Sequence, residues 1–164
     1  MRTALLFVGG LALITFAAGA KAEDHPHGIA FVHKAVEGDN SETRLGALAA
    51  RKGQSPDIRA FGHMLETDHR KGRIEAAALA REVHTYAPRS MTPEALAEQQ
   101  KLDKLSGKDF DREFASYMVK DHKEDIADFE AEASSSDPVI VTSFAKRTIP
   151  VLRKHLDTAI RLIS

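Results

Sequence analysis

The sequence predicts an all-α protein, and two observations carry this prediction. Apolar residues recur at spacings of three and four through four long segments, whereas no convincing run alternates apolar and polar residues between turn signals. Two short turns and one long link join the four segments, an order that predicts a four-helix bundle. Because the chain contains no cysteine, we expect burial of apolar side chains alone to hold this core together.

Turn and cap residues mark the ends of the predicted helices. The long helices should cover about residues 28–52, 56–86 and 108–133, and the fourth should run from about residue 138 to the C-terminus. Gly38-Asp39-Asn40 could interrupt the first helix. Pro150 should kink the fourth, because proline lacks an N–H and its ring clashes with the preceding turn.

The link between the second and third long helices should contain a short extra helix. Thr92 followed by Pro93 is typical of a helix start, with threonine as the N-cap and proline in the first turn, and the pattern extends to Leu105. The link could cross the length of the bundle or return at the same end, and the sequence leaves both topologies open.

Residues 1–22 have the features of a secretory signal peptide. Arg2 supplies the positive charge, an apolar stretch runs from Ala4 to Ala18, and Ala20-Lys21-Ala22 fits the small-x-small cleavage pattern. A membrane anchor is the alternative, but glycines interrupt the stretch and it falls short of the roughly 20 apolar residues that a spanning helix needs. No later segment is apolar enough to span a membrane. We therefore expect cleavage after Ala22, one mature domain over residues 23–164, and a periplasmic or secreted location.

Charge and motifs exclude several classes of function. The chain carries 23 basic and 24 acidic residues, and removal of the signal peptide takes away Arg2 and Lys21. The mature chain is therefore slightly acidic, without the basic surface of a protein that binds nucleic acid or anionic lipid. It also lacks a nucleophile elbow, a phosphate-binding glycine loop and a clear pair of catalytic carboxylates, so an enzyme is the least favoured class.

Eight histidines stand out in a chain with two tyrosines and no tryptophan. Each predicted long helix carries one residue of metal-ligand type among its apolar positions: Glu42, His69, His122 and His155. Each lies three, four or seven residues from apolar residues of its own helix, so all four side chains should face the core. Burial of four ionisable groups without partners is costly, and we therefore predict a buried metal or polar site.

Depth along the bundle tests whether these four residues can meet. Counted from the turns at a rise of about 1.5 Å per residue, Glu42 and His69 lie at the same level. On the same count, His122 and His155 differ in level by about 7 Å. The fourth helix is therefore the weakest contributor to the predicted site.

The second and third helices repeat an Asp-His pair, Asp68-His69 and Asp121-His122. Neighbouring residues on one helix do not face each other, but each aspartate could accept a hydrogen bond from the histidine of the other helix and fix its tautomer. Three alternatives stay open. The histidines could be hydrogen-bonded core residues, the aspartates could pair with surface cations, and Glu42 could belong to a helix start capped by Asp39.

A set of residues spread along the mature chain carries a family resemblance. The set comprises Glu42 with Leu45, Leu48 and Ala49; Phe61, Met64 and Asp68-His69; Phe110-Asp111; His122; Phe144-Ala145; Pro150-Val151-Leu152; and His155-Leu156. Over residues 31–162 the chain resembles the ferritin-like exported bacterial proteins of unknown function, which are often labelled outer membrane proteins. The resemblance implies a four-helix bundle outside the cytoplasm, with no settled biochemical activity.

A ferritin-like di-iron site uses carboxylates from two helices and a Glu-x-x-His pair from each of the other two. In this sequence only Glu66 and His69 form such a pair, because a valine and a leucine stand three residues before His122 and His155. The ligands fit a histidine-rich mononuclear site for zinc or copper better, and iron is less favoured.

Cleavage after Ala22 would create a second candidate site at the new N-terminus. The mature protein would begin Glu23-Asp24-His25, whose amine, two amide nitrogens and imidazole can form a square plane of four nitrogens. Such a plane selects copper(II) or nickel(II). The alternative is a disordered leader that binds no metal.

The sequence therefore predicts a periplasmic bundle that binds a transition metal through Glu42, His69, His122 and His155. The alternative function is a structural or partner-binding protein of the envelope, with no metal and no catalysis. Its partner would be an envelope protein or a second copy of the chain.

Overall fold

The computed structural model describes residues 25–163, and all regular secondary structure in this part of the chain is α-helical. The helices are α1 (Pro26–Lys52), α2 (Pro56–Glu82), α3 (Pro93–Lys104), α4 (Gly107–Ala133) and α5 (Val139–Ile163). The prediction of an all-α protein with a short helix in the long link is confirmed. The expected signal peptide and its cleavage site at Ala22 lie outside the described residues. Among the five helices of residues 25–163, none has the length and apolar character needed to cross a membrane.

Capping side chains explain where α2 and α3 begin. The backbone N–H of Ile58 donates to the Ser55 hydroxyl at 3.1 Å, and that of Ala95 donates to the Thr92 hydroxyl at 3.1 Å. Each cap satisfies one N–H that has no partner within its helix. A proline follows each cap, where its missing N–H does no harm.

The predicted end of the second long helix is wrong, since α2 ends at Glu82 rather than near Tyr86. His84 has a φ of +56°, in the left-handed region that a right-handed helix cannot include. The apolar periodicity extends past this point, but the backbone leaves the helix and enters the link.

Helix α1 continues through Gly38-Asp39-Asn40 without interruption. Polar side chains in this stretch bind the link between α2 and α3. The Asn40 amide donates to the carbonyl oxygens of Pro88 and Ser90 at 3.1 and 3.0 Å. The backbone N–H of Thr92 donates to the Ser41 hydroxyl at 3.0 Å. Because α1 does not restart here, Glu42 lies in the middle of a helix.

Two glycines allow α1 and α2 to approach each other closely. A Cβ atom added at Gly62 would lie 2.5 Å from the backbone nitrogen of Ala50 and 2.6 Å from the carbonyl oxygen of Gly46. A Cβ at Gly46 would lie 2.7 Å from the backbone nitrogen of Glu66. Side chains at these positions would push the helices apart, so the close packing of α1 on α2 depends on glycine.

The apolar core has two parts, one toward each end of the long helices. One part includes Leu45, Phe61, Phe114 and Ala159, and the other includes Phe31, Leu79, Phe129 and Phe144. The first part joins the ends of α1 and α5 to the starts of α2 and α4, and the second joins the opposite ends. Helices α2 and α4 therefore run parallel, and the link that contains α3 crosses the length of the molecule.

Helix α5 remains one helix through Pro150. Pro150 is exposed, as is Lys146, whose carbonyl loses its helical hydrogen bond because proline has no N–H. Water can satisfy that carbonyl, which explains why the proline is tolerated inside the helix.

Candidate metal centre

Four ionisable side chains lie between the two apolar parts of the core, one from each long helix. They are Glu42 on α1, His69 on α2, His122 on α4 and His155 on α5, and they are 1%, 6%, 0% and 0% exposed. Each offers one nitrogen or oxygen atom such that all four atoms lie within 4.8 Å of one another. The expectation that these four residues face the core is confirmed, and the structure brings all four together.

The spacing of the inner atoms is compatible with one small metal ion. Oε2 of Glu42 lies 2.7 Å from Nε2 of His69 and 3.3 Å from Nε2 of His122. The ring of His155 completes the group, with its centroid 5.1 Å from that of His69 and 5.3 Å from that of His122. Tetrahedral zinc with bonds of about 2.0–2.1 Å places its ligand atoms about 3.3 Å apart, so little movement would be needed.

Each imidazole uses one ring nitrogen to hold an acceptor on the outside of the group. Nδ1 of His69 donates to Oδ1 of Asp39 at 2.9 Å, and Nδ1 of His122 donates to the carbonyl oxygen of Met118 at 3.1 Å. Nε2 of His155 donates to Oδ2 of Asp68 at 3.0 Å. Metal-binding histidines characteristically donate their second ring nitrogen in this way, because the bond fixes the tautomer and leaves a lone pair for the metal.

The inner atoms of the group have no hydrogen-bond partners. This holds for both carboxylate oxygens of Glu42, for Nε2 of His69 and His122, and for Nδ1 of His155. The closest pair, Oε2 of Glu42 and Nε2 of His69, forms an ion pair at 2.7 Å. A buried polar atom without a hydrogen bond costs about 1–3 kcal/mol, so several of them at one point are typical of a ligand-binding site. The donor set of three imidazoles and one carboxylate fits zinc or copper.

The structure corrects the predicted roles of Asp68 and Asp121. Asp68 was expected to orient His122 but contacts His155, because α2 packs against α5 at this level. Asp121 was expected to orient His69 but lies beside Glu42. The acceptor for His69 is Asp39, a residue that the sequence suggests only as a helix cap. Its position three residues before Glu42, one turn away on the same face of α1, was the signal that could have identified it.

The predicted mismatch in level between His122 and His155 does not keep them apart. Helical side chains lean toward the N-terminus of their own helix. Because α4 and α5 are antiparallel, the ring of His122 leans away from the α4–α5 turn while the ring of His155 leans toward it. The two displacements bring the imidazoles to one level, an effect that counting Cα positions ignores.

Burial and neighbouring charges set the pKa values of the four groups. Burial by itself would raise the pKa of Glu42, but the imidazoles of His122 and His69 outweigh burial and lower this pKa to about 2. Burial would likewise lower the pKa of His69, but the carboxylates of Glu42 and Asp39 raise it well above its ordinary value. Burial lowers the pKa of His122 to about 4 and also lowers that of His155. The metal-free centre thus holds one imidazolium, at His69, and two neutral imidazoles.

Two more carboxyl groups adjoin Glu42 on the side of α4. One oxygen each from Glu42, Asp121 and Asp125 lie within 4.8 Å of one another. Burial, followed by the charge of Glu42, raises the pKa of both aspartates. Protonated aspartates can lie beside the Glu42 carboxylate without adding two further buried negative charges.

A groove between α2 and α5 reaches the outer side of the centre at His69. Its volume is about 530 Å³, and its lining includes Asp68, His69 and the basic residues Lys71, Arg147 and Lys154. A separate cavity of about 20 Å³ touches Asp39, His69 and Asp125 and is large enough for one water molecule. Both spaces reach His69, whereas the inner nitrogen and oxygen atoms of all four residues are buried.

The predicted N-terminal copper site lies only partly within the described residues. His25 precedes α1, and its Nδ1 lies 3.5 Å from Oδ1 of Asp137. Glu23 and Asp24 lie outside the described residues. The square-planar site at His25 therefore stays a prediction.

Comparison with known proteins identifies a family for this chain but no characterised relative. No curated protein and no solved structure matches the chain. One family model matches residues 15–162, a span that includes all four residues of the centre, and it is described as a domain of unknown function, DUF4142. The chain therefore belongs to the DUF4142 family.

Proposed function

We propose that this chain is an exported bacterial protein with a ferritin-like four-helix bundle that binds one transition-metal ion through Glu42, His69, His122 and His155. The observation that carries the proposal is that the two ring nitrogens of each imidazole have different surroundings. One nitrogen donates to an outer acceptor, and the other faces Glu42 and the remaining imidazoles inside the group. The crossing link between the second and third long helices supports the ferritin-like topology, in which one such connection occurs.

Zinc is the metal that the donor set favours, with copper as the second choice. Three imidazole nitrogens and one carboxylate oxygen supply four protein ligands, the number that closes a tetrahedral zinc site. Catalytic zinc sites keep a coordination position open for water or substrate. A closed site favours holding or delivering the metal over catalysis, and the groove between α2 and α5 reaches the centre at His69.

Zinc titration of the mature, untagged protein tests the proposal. Binding to the folded state stabilises it by mass action, by about 2.7 kcal/mol when free zinc is 100 times the dissociation constant. We expect this gain in chelator-treated wild-type protein, measured by urea unfolding with and without zinc. His122→Ala should remove the gain attributable to the centre. His63→Ala is the matched control, because His63 is exposed on α2 and should leave the gain unchanged.

A second variant protects this test against a folding defect in His122→Ala. Glu42→Gln preserves the side-chain shape and removes the charge, so it should fold and bind zinc more weakly. If neither variant changes zinc binding, and wild-type unfolding does not respond to zinc or copper, the metal proposal fails. The structural or partner-binding function in the envelope would then be favoured.

The export part of the proposal has its own experiment. Arg2, the apolar stretch after it and Ala20-Lys21-Ala22 support a cleaved signal peptide. Expression of the full chain in a Gram-negative host should yield periplasmic protein whose N-terminal sequence begins at Glu23. Recovery of uncleaved protein beginning at Met1 in the cytoplasm would contradict export without affecting the metal centre.

A further inference from the structure

We infer that His27, Glu132 and Asp137 form a second site for a divalent transition-metal ion, separate from the core centre. His27 lies in the first turn of α1, Glu132 in the last turn of α4, and Asp137 in the turn before α5. One ligand atom from each of the three residues lies within 4.8 Å of the other two. The site joins the start of the helical domain to the α4–α5 turn and shares no residue with the core centre.

The first argument is an unpartnered buried carboxylate. Glu132 is 1% exposed. Its Oε1 accepts a hydrogen bond from the Ser135 hydroxyl at 3.1 Å, but its Oε2 has no hydrogen-bond partner. That oxygen lies 3.3 Å from Nδ1 of His27. The unpartnered oxygen of this buried carboxylate would be satisfied by a cation bound beside the ring nitrogen.

The second argument is that one ring nitrogen faces two carboxylates. Nδ1 of His27 lies 2.7 Å from Oδ2 of Asp137 as well as 3.3 Å from Oε2 of Glu132. An N–H points in one direction, so it can satisfy Asp137 and leave Glu132 without a partner. A metal ion bound by the Nδ1 lone pair can coordinate both carboxylates at once.

The carboxylates do not act as caps for α1, which is the ordinary role of acidic groups at a helix start. Among residues 25–163, no backbone N–H in the first turn of α1 donates to Glu132 or Asp137, and neither carboxylate forms an ion pair with lysine or arginine. Gly28 allows the close approach of Asp137, because a Cβ there would lie 3.1 Å from Cγ of Asp137. The cluster is thus built around the imidazole rather than around the helix terminus.

The donor atoms identify the class of ion. An imidazole nitrogen with two carboxylate oxygens suits zinc, cobalt(II) or nickel(II), whereas magnesium and calcium prefer oxygen ligands only. The imidazole of His25 lies beside the cluster, 3.5 Å from Oδ1 of Asp137, and can supply a second nitrogen. This mixed donor set does not provide the square plane of four nitrogens that copper(II) prefers at a free N-terminus. Zinc therefore distinguishes the site at His27 from the predicted copper site at Glu23-Asp24-His25.

Zinc stoichiometry of the mature, untagged full chain tests this inference. Isothermal titration of wild-type protein should show two zinc ions, and His27→Ala should remove one of them or weaken it at least tenfold. Glu132→Gln should have the same effect, because it retains the shape of the buried side chain and removes its charge. His63→Ala, an exposed histidine outside both clusters, should still bind two. In wild-type protein zinc should also slow amide hydrogen exchange in the first turn of α1.

The outcomes separate this site from the core centre. Loss of one zinc in His122→Ala with the second retained, and the converse in His27→Ala, would support both sites. If the only zinc bound is lost in His27→Ala and not in His122→Ala, the core proposal fails and this one stands. If both His27→Ala and Glu132→Gln bind zinc as the wild type does, the second site does not exist.

Discussion

The core centre and the site at His27 combine the same donor types but differ in how firmly the protein holds them. The imidazoles of His122 and His155 are fully buried, and each donates its outer nitrogen to an acceptor. The side chain of His27 is 71% exposed, and the described contacts of its ring all involve one nitrogen, Nδ1. The core imidazoles are therefore positioned without a metal, whereas His27 is held mainly by the carboxylates of the proposed site.

This difference teaches how each site relates to the fold. In the core, four helices contribute one ligand each, and the charges must be balanced even without metal because water is excluded. At the end of the molecule, water can compensate for the loss of a partner at His27. Changes at the core centre should therefore alter the free energy of unfolding of the whole molecule. Changes at the site at His27 should alter mainly the local stability of the first turn of α1. The predictions below probe this comparison, beginning with the largest effect.

Removal of His69 should produce the largest effect in the metal-free protein. The raised pKa of His69 means that it carries a positive charge between the buried carboxylate of Glu42 and the partly buried carboxylate of Asp39. His69→Ala leaves these carboxylates without their cation, a change that typically costs about 3–5 kcal/mol. Urea unfolding in the presence of a chelator measures this loss.

The matched substitution at the other site is His27→Ala, which should change chelator-treated stability little because His27 is exposed. Equal losses in the two variants would contradict the comparison. So would a metal-free His69→Ala protein as stable as the wild type.

Gly72→Ala should weaken metal binding at the core without touching a ligand. A Cβ at Gly72 would lie 2.7 Å from Oδ1 of Asp39, the atom that accepts the hydrogen bond from His69. Displacement of Asp39 frees the imidazole of His69 to rotate, and loss of such an orienting acceptor typically reduces metal affinity about 10–100-fold. Zinc titration of the core centre measures the change.

Gly38→Ala is the control for this substitution, because a Cβ at Gly38 meets no atom within 4 Å. It should leave zinc affinity unchanged. An unchanged affinity in Gly72→Ala would mean that Asp39 does not position His69.

The pH dependence of core binding should be the smallest of the three effects. Zinc must displace the proton that His69 holds in the metal-free state, because its raised pKa keeps it charged above its ordinary value of 6.5. Zinc affinity should therefore rise with pH from 6.5 up to the raised pKa of His69, by about tenfold per pH unit for one displaced proton. His122 and His155, whose pKa values are lowered, are already neutral in this range and contribute no further proton.

Calorimetric titrations in two buffers of different ionisation enthalpy measure the proton release. It should be at least one per zinc at the core, because zinc beside Glu42 also favours deprotonation of Asp121 and Asp125, whose pKa values are raised. The stability of the metal-free protein should change in the opposite direction with pH. The stabilising effect of the His69 charge is complete below pH 6.5 and is lost as pH rises through the raised pKa. Zinc affinity that falls with rising pH in this window would contradict the assigned charge of His69.

Much of the fold could be predicted because its signals are local. Apolar spacing and the helix-start signals at Thr92-Pro93 and Pro56 specify helices through the adjacent turns of backbone. The inward direction of Glu42 and the three histidines follows from the same periodicity. The end of α2 was missed because His84 adopts a left-handed conformation that periodicity does not report. The crossing direction of the link was left open because it depends on which ends of the helices pack together.

The details of the two sites could not be predicted because they depend on contacts between distant segments. The pairing of Asp68 with His155 joins residues 87 apart in sequence, and that of His27 with Asp137 joins residues 110 apart. The choice between acceptors on neighbouring helices is decided by a few ångströms of helix position and by the lean of each side chain. The spacing of residues along one helix does not report the position of a neighbouring helix or the acceptors that it offers.

The sequence by itself determined that the described chain is helical, that four polar residues face inward, and that no cysteine can contribute to any site. Each of these follows from residue types and from the helical repeat. Only the tertiary structure decided that the four inward residues meet at one level, that Asp39 rather than Asp121 orients His69, and that His27 meets Glu132 and Asp137. The reason is that a helix sets the direction of its own side chains, whereas the relative depth and neighbours of helices are set by packing of the whole core, including the close approach at Gly46 and Gly62.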